Sequence, residues 1–129
     1  MSSTLWPNFA GLAAPRSMQV MLYDAAGDIK QQESGALDFY VDTIGVGTSG
    51  AIHNIRYNCY LKVVKKDYMH LLFQVTTPVA SPFPATVVTA EGDDYPDLQD
   101  EQALRTAIAA ILQRPRTTEV VLYLLNTAR

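Results

Sequence analysis

Residues 55–75 read IRYNCYLKVVKKDYMHLLFQV, and this stretch decides the fold. Apolar and polar residues alternate on both sides of the polar tip Lys65-Lys66-Asp67, which is typical of two antiparallel strands joined by a hairpin. The apolar face of the first strand carries Ile55, Tyr57, Cys59, Leu61 and Val63. In the second strand, Met69, Leu71, Phe73 and Val75 alternate with His70, Leu72, Gln74 and Thr76. The pattern predicts an antiparallel sheet with one buried face and one more polar face.

Outside this hairpin, the same period of two predicts two more strands and then gives way to helices. Residues 37–42 alternate in the same way, and a short strand is expected at 85–89 after the prolines Pro78, Pro82 and Pro84. A spacing of 3.6 residues predicts a helix that begins near Pro15–Ser17 and runs through Ile29. The same spacing predicts a second helix at 104–112 and a third from about Thr118, with Thr117 as its cap.

The order α-β-β-β-β-α-α predicts a single α+β domain over residues 1–129. We expect a four-stranded antiparallel meander sheet, packed on one face by an N-terminal helix and two C-terminal helices. Residues 1–15 contain Trp6, Pro7, Phe9, Leu12 and Pro15, and are expected to form an irregular arm that packs by its aromatic residues.

Composition excludes several classes of protein. With 48% apolar and 18% charged residues, the chain of 129 residues is typical of a globular domain rather than a disordered one. A net charge of −3 disfavours general binding to nucleic acid or to anionic membranes. Apolar stretches fall far short of the roughly 18 residues of a membrane span. The N-terminal sequence has no secretion signal, and one cysteine suits a reducing compartment, so a cytoplasmic location is expected.

Residue types that carry out catalysis are present without the spacing that catalysis needs. His53 and His70 fall on different strands and form no metal-binding motif, and Cys59 lies on the core face, where a thiol is unreactive. The turn Gly45–Gly50 resembles a phosphate loop in composition but lacks its lysine, and a strand follows it. We therefore expect neither an enzyme nor a bound metal or cofactor.

Two weaker alternatives remain open on the predicted sheet. Asp38 and Asp42 share a face with Tyr40, and such a carboxylate pair has the residue types of a glycosidase site, although exposed aspartates on a polar face are commoner. Lys62, Lys65 and Lys66 form a small basic patch near a hairpin tip, which is a weak indication of phosphate binding in an acidic chain.

The densest charge lies just before the second helix. Six of the 13 acidic residues fall between Glu91 and Glu101 in a predicted loop. Asp97 or Asp100 can cap the helix, and carboxylates near its N-terminus interact favourably with its dipole. No such local role explains the first half of the segment, so it is either simply hydrated or faces a basic partner. The predicted partner-binding residues are Glu91, Asp93, Asp94, Tyr95, Asp97, Asp100 and Glu101.

The core pattern of residues 37–129 resembles that of small bacterial immunity proteins, which are encoded beside toxins. The likeness is carried by residues 52–61, 68–75 and 83–88, and by Ile111-Leu112, Thr117 or Thr118, Val120 or Val121, and Leu124-Leu125. It implies a non-enzymatic bacterial protein that neutralises a cognate toxin domain by occluding its active site. The alternative is a structural or homo-oligomeric module, for instance a homodimer, that uses an exposed sheet face or edge strand.

Overall fold

A computed structural model describes residues 5–32 and 35–128 as an α+β fold. Its helices are α1 (Met18–Ala26), a 3-10 helix (Gly27–Gln31), α2 (Glu101–Leu112) and α3 (Pro115–Ala128). Its strands are β1 (Leu37–Thr48), β2 (Ala51–Val63), β3 (Tyr68–Pro78), β4 (Ala85–Thr89) and β5 (Asp94–Leu98). The strands follow one another in an antiparallel sheet of order β1-β2-β3-β4-β5, so the predicted α+β class and antiparallel meander are confirmed.

Within the described residues the sheet has five strands, and the prediction of four was wrong. The additional strand, β5, lies inside the acidic segment that was expected to be a loop. Aspartate and proline are rare in strands, so the sequence gives no local strand signal here. Pairing with β4 compensates, because it half-buries Tyr95 opposite Val87 and Leu98 opposite Ala85. Pro96 has no backbone N–H to donate. It is tolerated because β5 is an edge strand, where hydrogen bonds to a neighbouring strand are needed on one side only.

A β-bulge in β3 reverses the predicted faces of its first half. Tyr60 pairs with Leu71 and Cys59 pairs with Phe73, so Leu72 is the extra residue on β3. Leu72 and Phe73 are both buried in the core. Since a shift of one residue moves every side chain to the other face, Met69 and Leu71 leave the predicted core face. The expectation that both residues share the face of Phe73 and Val75 was therefore wrong.

All three α-helices contribute to one core on one face of the sheet, as predicted. The strand residues of this core face are Leu37, Phe39, Val41, Cys59, Leu61, Val63, Leu72, Phe73, Val75, Ala85 and Val87. The buried residues of α1 recur at helical spacing, and Ser17 caps the helix by accepting from the Val20 amide at 3.2 Å. The α-helix ends at Ala26, although the predicted apolar stripe continues to Ile29, because Gly27 favours the change to a 3-10 helix.

The last helix begins earlier than predicted, at Pro115 instead of Thr118. Proline at the first helical position costs nothing, since its missing N–H would have no helical partner there. Thr117 is not the cap, since it lies within α3. Its hydroxyl donates to the Ile111 carbonyl at 2.6 Å. This bond joins the start of α3 to the end of α2, and so fixes the sharp turn between them.

The N-terminal arm is irregular over its described residues, but it does not pack into the domain. Trp6 is 75% exposed and Phe9 is 61% exposed, with ring centres 6.3 Å apart. The expectation that the arm packs through its aromatic residues was therefore wrong, since these side chains do not enter the core. Among the described residues, no helix is both long and apolar enough to cross a membrane.

Candidate protein-binding surface

Arg114 ties the acidic segment to the turn between α2 and α3. Its Nη1 donates to the Asp93 carboxylate at 2.8 Å and its Nη2 donates to the Tyr95 hydroxyl at 2.8 Å. The guanidinium also lies 5.9 Å from the centre of the Tyr95 ring. The hydrogen bond to Tyr95, and then the contact with Asp93, raise the pKa of Arg114 above its ordinary value. Arg116 follows on the same turn and pairs with Glu91 at 3.9 Å.

Other acidic residues of the segment also have partners within the chain. Glu101 pairs with Arg16 at 2.9 Å and with Arg105 at 3.8 Å. Asp100 is the cap of α2, since its carboxylate accepts from the Ala103 amide at 2.8 Å. Within the described residues, Asp94 and Asp97 take part in no ion pair.

These contacts change the interpretation of the segment. The sequence offered no structural role for Glu91 and Asp93, yet both face arginines that lie more than twenty positions further along the chain. Four arginines now compensate part of the negative charge. The segment is therefore a connection inside the fold as well as an exposed surface, and Asp94 is its clearest free carboxylate.

The face of the sheet opposite the helices forms a second surface, which we call the open face. In an antiparallel sheet, directly paired residues share a face. Tyr40 pairs with Tyr60, and Tyr60 pairs with Leu71, so the three side chains lie side by side. The open face consists of Asp38, Tyr40, Asp42, Ile44, Arg56, Asn58, Tyr60, Lys62, Met69, Leu71, Gln74, Thr76, Thr86, Val88 and Asp94.

The centre of the open face is apolar and aromatic. Tyr40 is 42% exposed and Met69 is 51% exposed, while Tyr60 and Leu71 are half-buried. The rings of Tyr40 and Tyr60 lie 6.3 Å apart in a tilted pair. Both tyrosines present an apolar ring with a hydroxyl that can donate or accept, which is the side-chain chemistry favoured at the centre of protein interfaces.

Polar residues surround this centre. Asp38 lies opposite Lys62, and Asp42 lies opposite Asn58, whose Oδ1 accepts from Gln74 Nε2 at 2.7 Å. At the far edge of the sheet, Asp94 pairs with Val88. An apolar centre with a charged rim is the usual composition of a surface that binds another protein.

The geometry argues against the carboxylate pair that the sequence left open. Asp38 and Asp42 share the open face, as predicted, but they lie four residues apart on an extended strand. That separation is about 13 Å along the strand, whereas the paired carboxyl groups of glycosidases lie about 5–9.5 Å apart. The two aspartates fit the rim of the open face better than a catalytic pair.

Histidines and the cysteine also occupy separate places. His53 is exposed near the end of the β1–β2 hairpin, and His70 is half-buried opposite Leu61. Cys59 is buried, and burial raises the pKa of its thiol far above the ordinary range. Within the described residues, no group of three His, Cys, Asp or Glu side chains is arranged to hold a metal ion.

Glycines in the β1–β2 hairpin serve close packing. A Cβ on Gly47 would lie 1.8 Å from the Ala51 carbonyl oxygen, and one on Gly45 would lie 2.7 Å from the end of the Ile52 side chain. Gly47 is therefore required for the close approach of the two strands, whereas a Cβ on Gly45 would only require the end of the Ile52 side chain to shift. The prediction of a turn over Gly45–Gly50 was wrong for most of the stretch, because β1 continues to Thr48 and only Ser49 and Gly50 form the turn before β2.

Comparison of the chain with protein-family models, curated proteins and solved structures found no match.

Proposed function

We propose that this chain is a protein-binding domain and that its partner lies on the open face. The observation that carries the proposal is the exposed apolar centre around Tyr40 and Met69, on a sheet whose helices all pack on the other side. Contiguous apolar surface of this kind is costly to leave in water, and it commonly marks a site of protein interaction. Tyr40 and Tyr60 are the anchor residues of the proposed interface, since tyrosine is enriched among the residues that dominate binding energy.

In its narrower form, the proposal is that the chain is a cytoplasmic bacterial immunity protein that covers the active site of a toxin domain. Carboxylates at both edges of the open face, Asp38 and Asp42 on β1 and Asp94 on β5, favour a basic partner. Such complementarity raises the association rate and the specificity more than the final affinity. The sheet would block the partner sterically while these carboxylates orient it.

The acidic segment then contributes at the rim of the interface. Glu91 and Asp93 are paired with arginines on the surface, and exposed pairs of this kind are worth about 0–1 kcal/mol each, so they can exchange partners at little cost. Tyr95 is half-buried under Arg114 and is less suited to be an anchor than Tyr40. Asp94 and Asp97 are the residues of the segment best placed to meet a cationic group.

Site-specific photo-crosslinking tests the open face and captures the partner in the same experiment. A photoreactive amino acid in place of Tyr40, on the open face, is compared with the same amino acid in place of Tyr123, which is 71% exposed on α3. We expect a crosslinked partner protein in bacterial cells from position 40 and not from position 123. Crosslinking from position 123 alone would place the partner on the helical side and exclude the open face.

Affinity measurements with the captured partner, or with a toxin domain encoded beside the chain, test the anchors. The double variant Tyr40→Ala/Tyr60→Ala should bind at least about 100-fold more weakly, as expected when interface anchors are removed, while Tyr123→Ala should bind normally. Asp94→Lys should slow association mainly at low salt. If the captured partner is not a toxin, the immunity role fails although the binding role stands.

A further inference from the structure

The N-terminal arm carries an unusual amount of exposed apolar surface. Leu5 is 99% exposed and Leu12 is 65% exposed, and they flank the exposed aromatic residues Trp6 and Phe9. Single exposed apolar residues are common, but here four large ones fall within eight positions, and the rings of Trp6 and Phe9 lie 6.3 Å apart. The arm therefore has the composition of a segment that binds an apolar surface.

The base of the arm lies on the helical side of the domain. Arg16 forms ion pairs with Asp24 of α1 and with Glu101 at the start of α2. Pro15, Arg16 and Ser17 line a groove together with Ile55 and Tyr57, which lie on the core side of β2. From this base, ten residues of extended chain can reach about 33 Å, which is comparable to the width of a small domain.

We propose that the arm of one copy lies on the open face of a second copy, and that the two arms exchange reciprocally in a dimer. The chemistry of the surfaces matches, since Trp6 and Phe9 would meet Tyr40, Tyr60 and Met69. Aromatic pairs and methionine–aromatic contacts both favour such packing. Within one described chain the arm and the open face are both exposed, and the arm leaves from the opposite side of the sheet. A second copy is therefore the proposed occupant.

The exposed area of the arm is sufficient for a reciprocal dimer. Large aromatic side chains carry about 150–250 Å² each, so at these exposures the four arm side chains offer roughly 500 Å² in total. Two arms that cover matching areas on two open faces would remove roughly 2,000 Å² from solvent, which reaches the range of about 1,200–2,000 Å² for stable interfaces. One arm on one face would remove roughly half as much, so a single contact should associate much more weakly than the reciprocal exchange.

This inference rests on the proposed use of the open face, and it adds a form of regulation. In the dimer the arms cover Tyr40 and its neighbours, so a heterologous partner must displace an arm before it binds. Removal of the arm is then expected to speed partner binding. The chain would thereby keep its apolar face covered until the partner is present.

Sedimentation experiments with two complementary variants test the exchange. We expect the chain to sediment at twice its monomer mass of 14.2 kDa, with dissociation on dilution. A deletion of residues 2–14 and the face variant Tyr40→Glu should each be monomeric, while the control Tyr123→Glu should remain dimeric. Mixing the deletion variant with Tyr40→Glu at high concentration should give a heterodimer that is weaker than the full-length dimer, because one intact arm and one intact face then form half of the exchange.

Several outcomes would overturn the exchange. They are a monomeric full chain, a deletion variant that remains dimeric, and a mixture that does not associate. If the full chain is monomeric and the deletion changes the environment of Tyr40, the arm lies on its own face. Failure of the proposed function is distinct, because crosslinks from position 40 would then join only copies of this chain while the dimer persists.

Discussion

Among single residues, Arg114 connects the most distant parts of the sequence, since one guanidinium binds both Asp93 and Tyr95. We expect Arg114→Ala to lower the melting temperature, because the turn between α2 and α3 then loses its contact with β5. Arg114→Lys should recover only part of the loss, since an ammonium lacks the planar fork that serves two acceptors. Arg105→Ala, which removes a longer exposed contact with Glu101, is the matched control. Equal melting temperatures for Arg114→Ala and Arg105→Ala would contradict this role.

Cys59 makes stability depend on pH in the alkaline range. Its thiol is buried and donates to the Tyr57 carbonyl at 3.8 Å, and burial raises the pKa of this thiol. The folded state then holds the proton more tightly than the unfolded state does. The resulting stability is complete below the ordinary thiol pKa of about 8.5 and is lost as pH rises above it.

Urea unfolding at a series of alkaline pH values measures this effect. The free energy of unfolding should fall by up to about 1.4 kcal/mol per pH unit above about pH 9 as a result of Cys59. Cys59→Ala should be less stable near neutral pH but should show a shallower alkaline decline, since other groups titrate equally in both proteins. Parallel declines in the two proteins would mean that the thiol is not responsible.

At the scale of elements, the sequence predicted the three α-helices and four of the five strands of the described residues, because their apolar periods are long and regular. Elements whose structure depends on a distant neighbour could not be predicted in the same way. β5 exists because β4 pairs with it, although its residues Asp94, Pro96 and Asp97 disfavour strands. The bulge at Leu72 could not be predicted from the sequence either. Leu71, Leu72 and Phe73 are all apolar, so the alternation does not show which of them is the extra residue.

The bulge in β3 gives a sharp test of which side chains face the core. Leu72→Ala should lower the free energy of unfolding by about 2–5 kcal/mol, as for other buried leucines, whereas Leu71→Ala should cost about 1 kcal/mol or less. Chemical denaturation of the two variants measures the difference. The unbulged register expected from the sequence gives the opposite order, so a larger loss for Leu71→Ala would contradict the bulge.

For the whole molecule, the sequence located charged and aromatic residues better than it located their partners. It placed Asp38, Tyr40 and Asp42 on one face, and the register confirms this. It did not predict the apolar centre of the open face, because Met69 and Leu71 reach that face only through the bulge. Nor did it predict the neutralisation of Asp93, since pairing with Arg114 depends on the docking of α3 and not on local sequence.

The stability of the domain should be independent of its arm when the protein is dilute. The four large side chains of the arm are mostly exposed, so their removal takes little apolar area out of the core. A deletion of residues 2–14 should therefore change the free energy of unfolding by no more than about 0.5 kcal/mol, measured by urea denaturation at concentrations where the chain is monomeric. The deletion keeps Arg16 and its pairs with Asp24 and Glu101, so the start of α1 stays anchored.

The concentration dependence of the same measurement separates packing within one chain from association between chains. If the arm exchanges between copies, the full chain should become more stable as its concentration rises, because only folded chains form the dimer. The stability of the deletion variant should not depend on concentration. Arg16→Ala in the full chain is the control, since it weakens the base of the arm and keeps the apolar residues. A loss above about 1 kcal/mol on deletion, already present in dilute solution, would instead mean that the arm packs on its own domain.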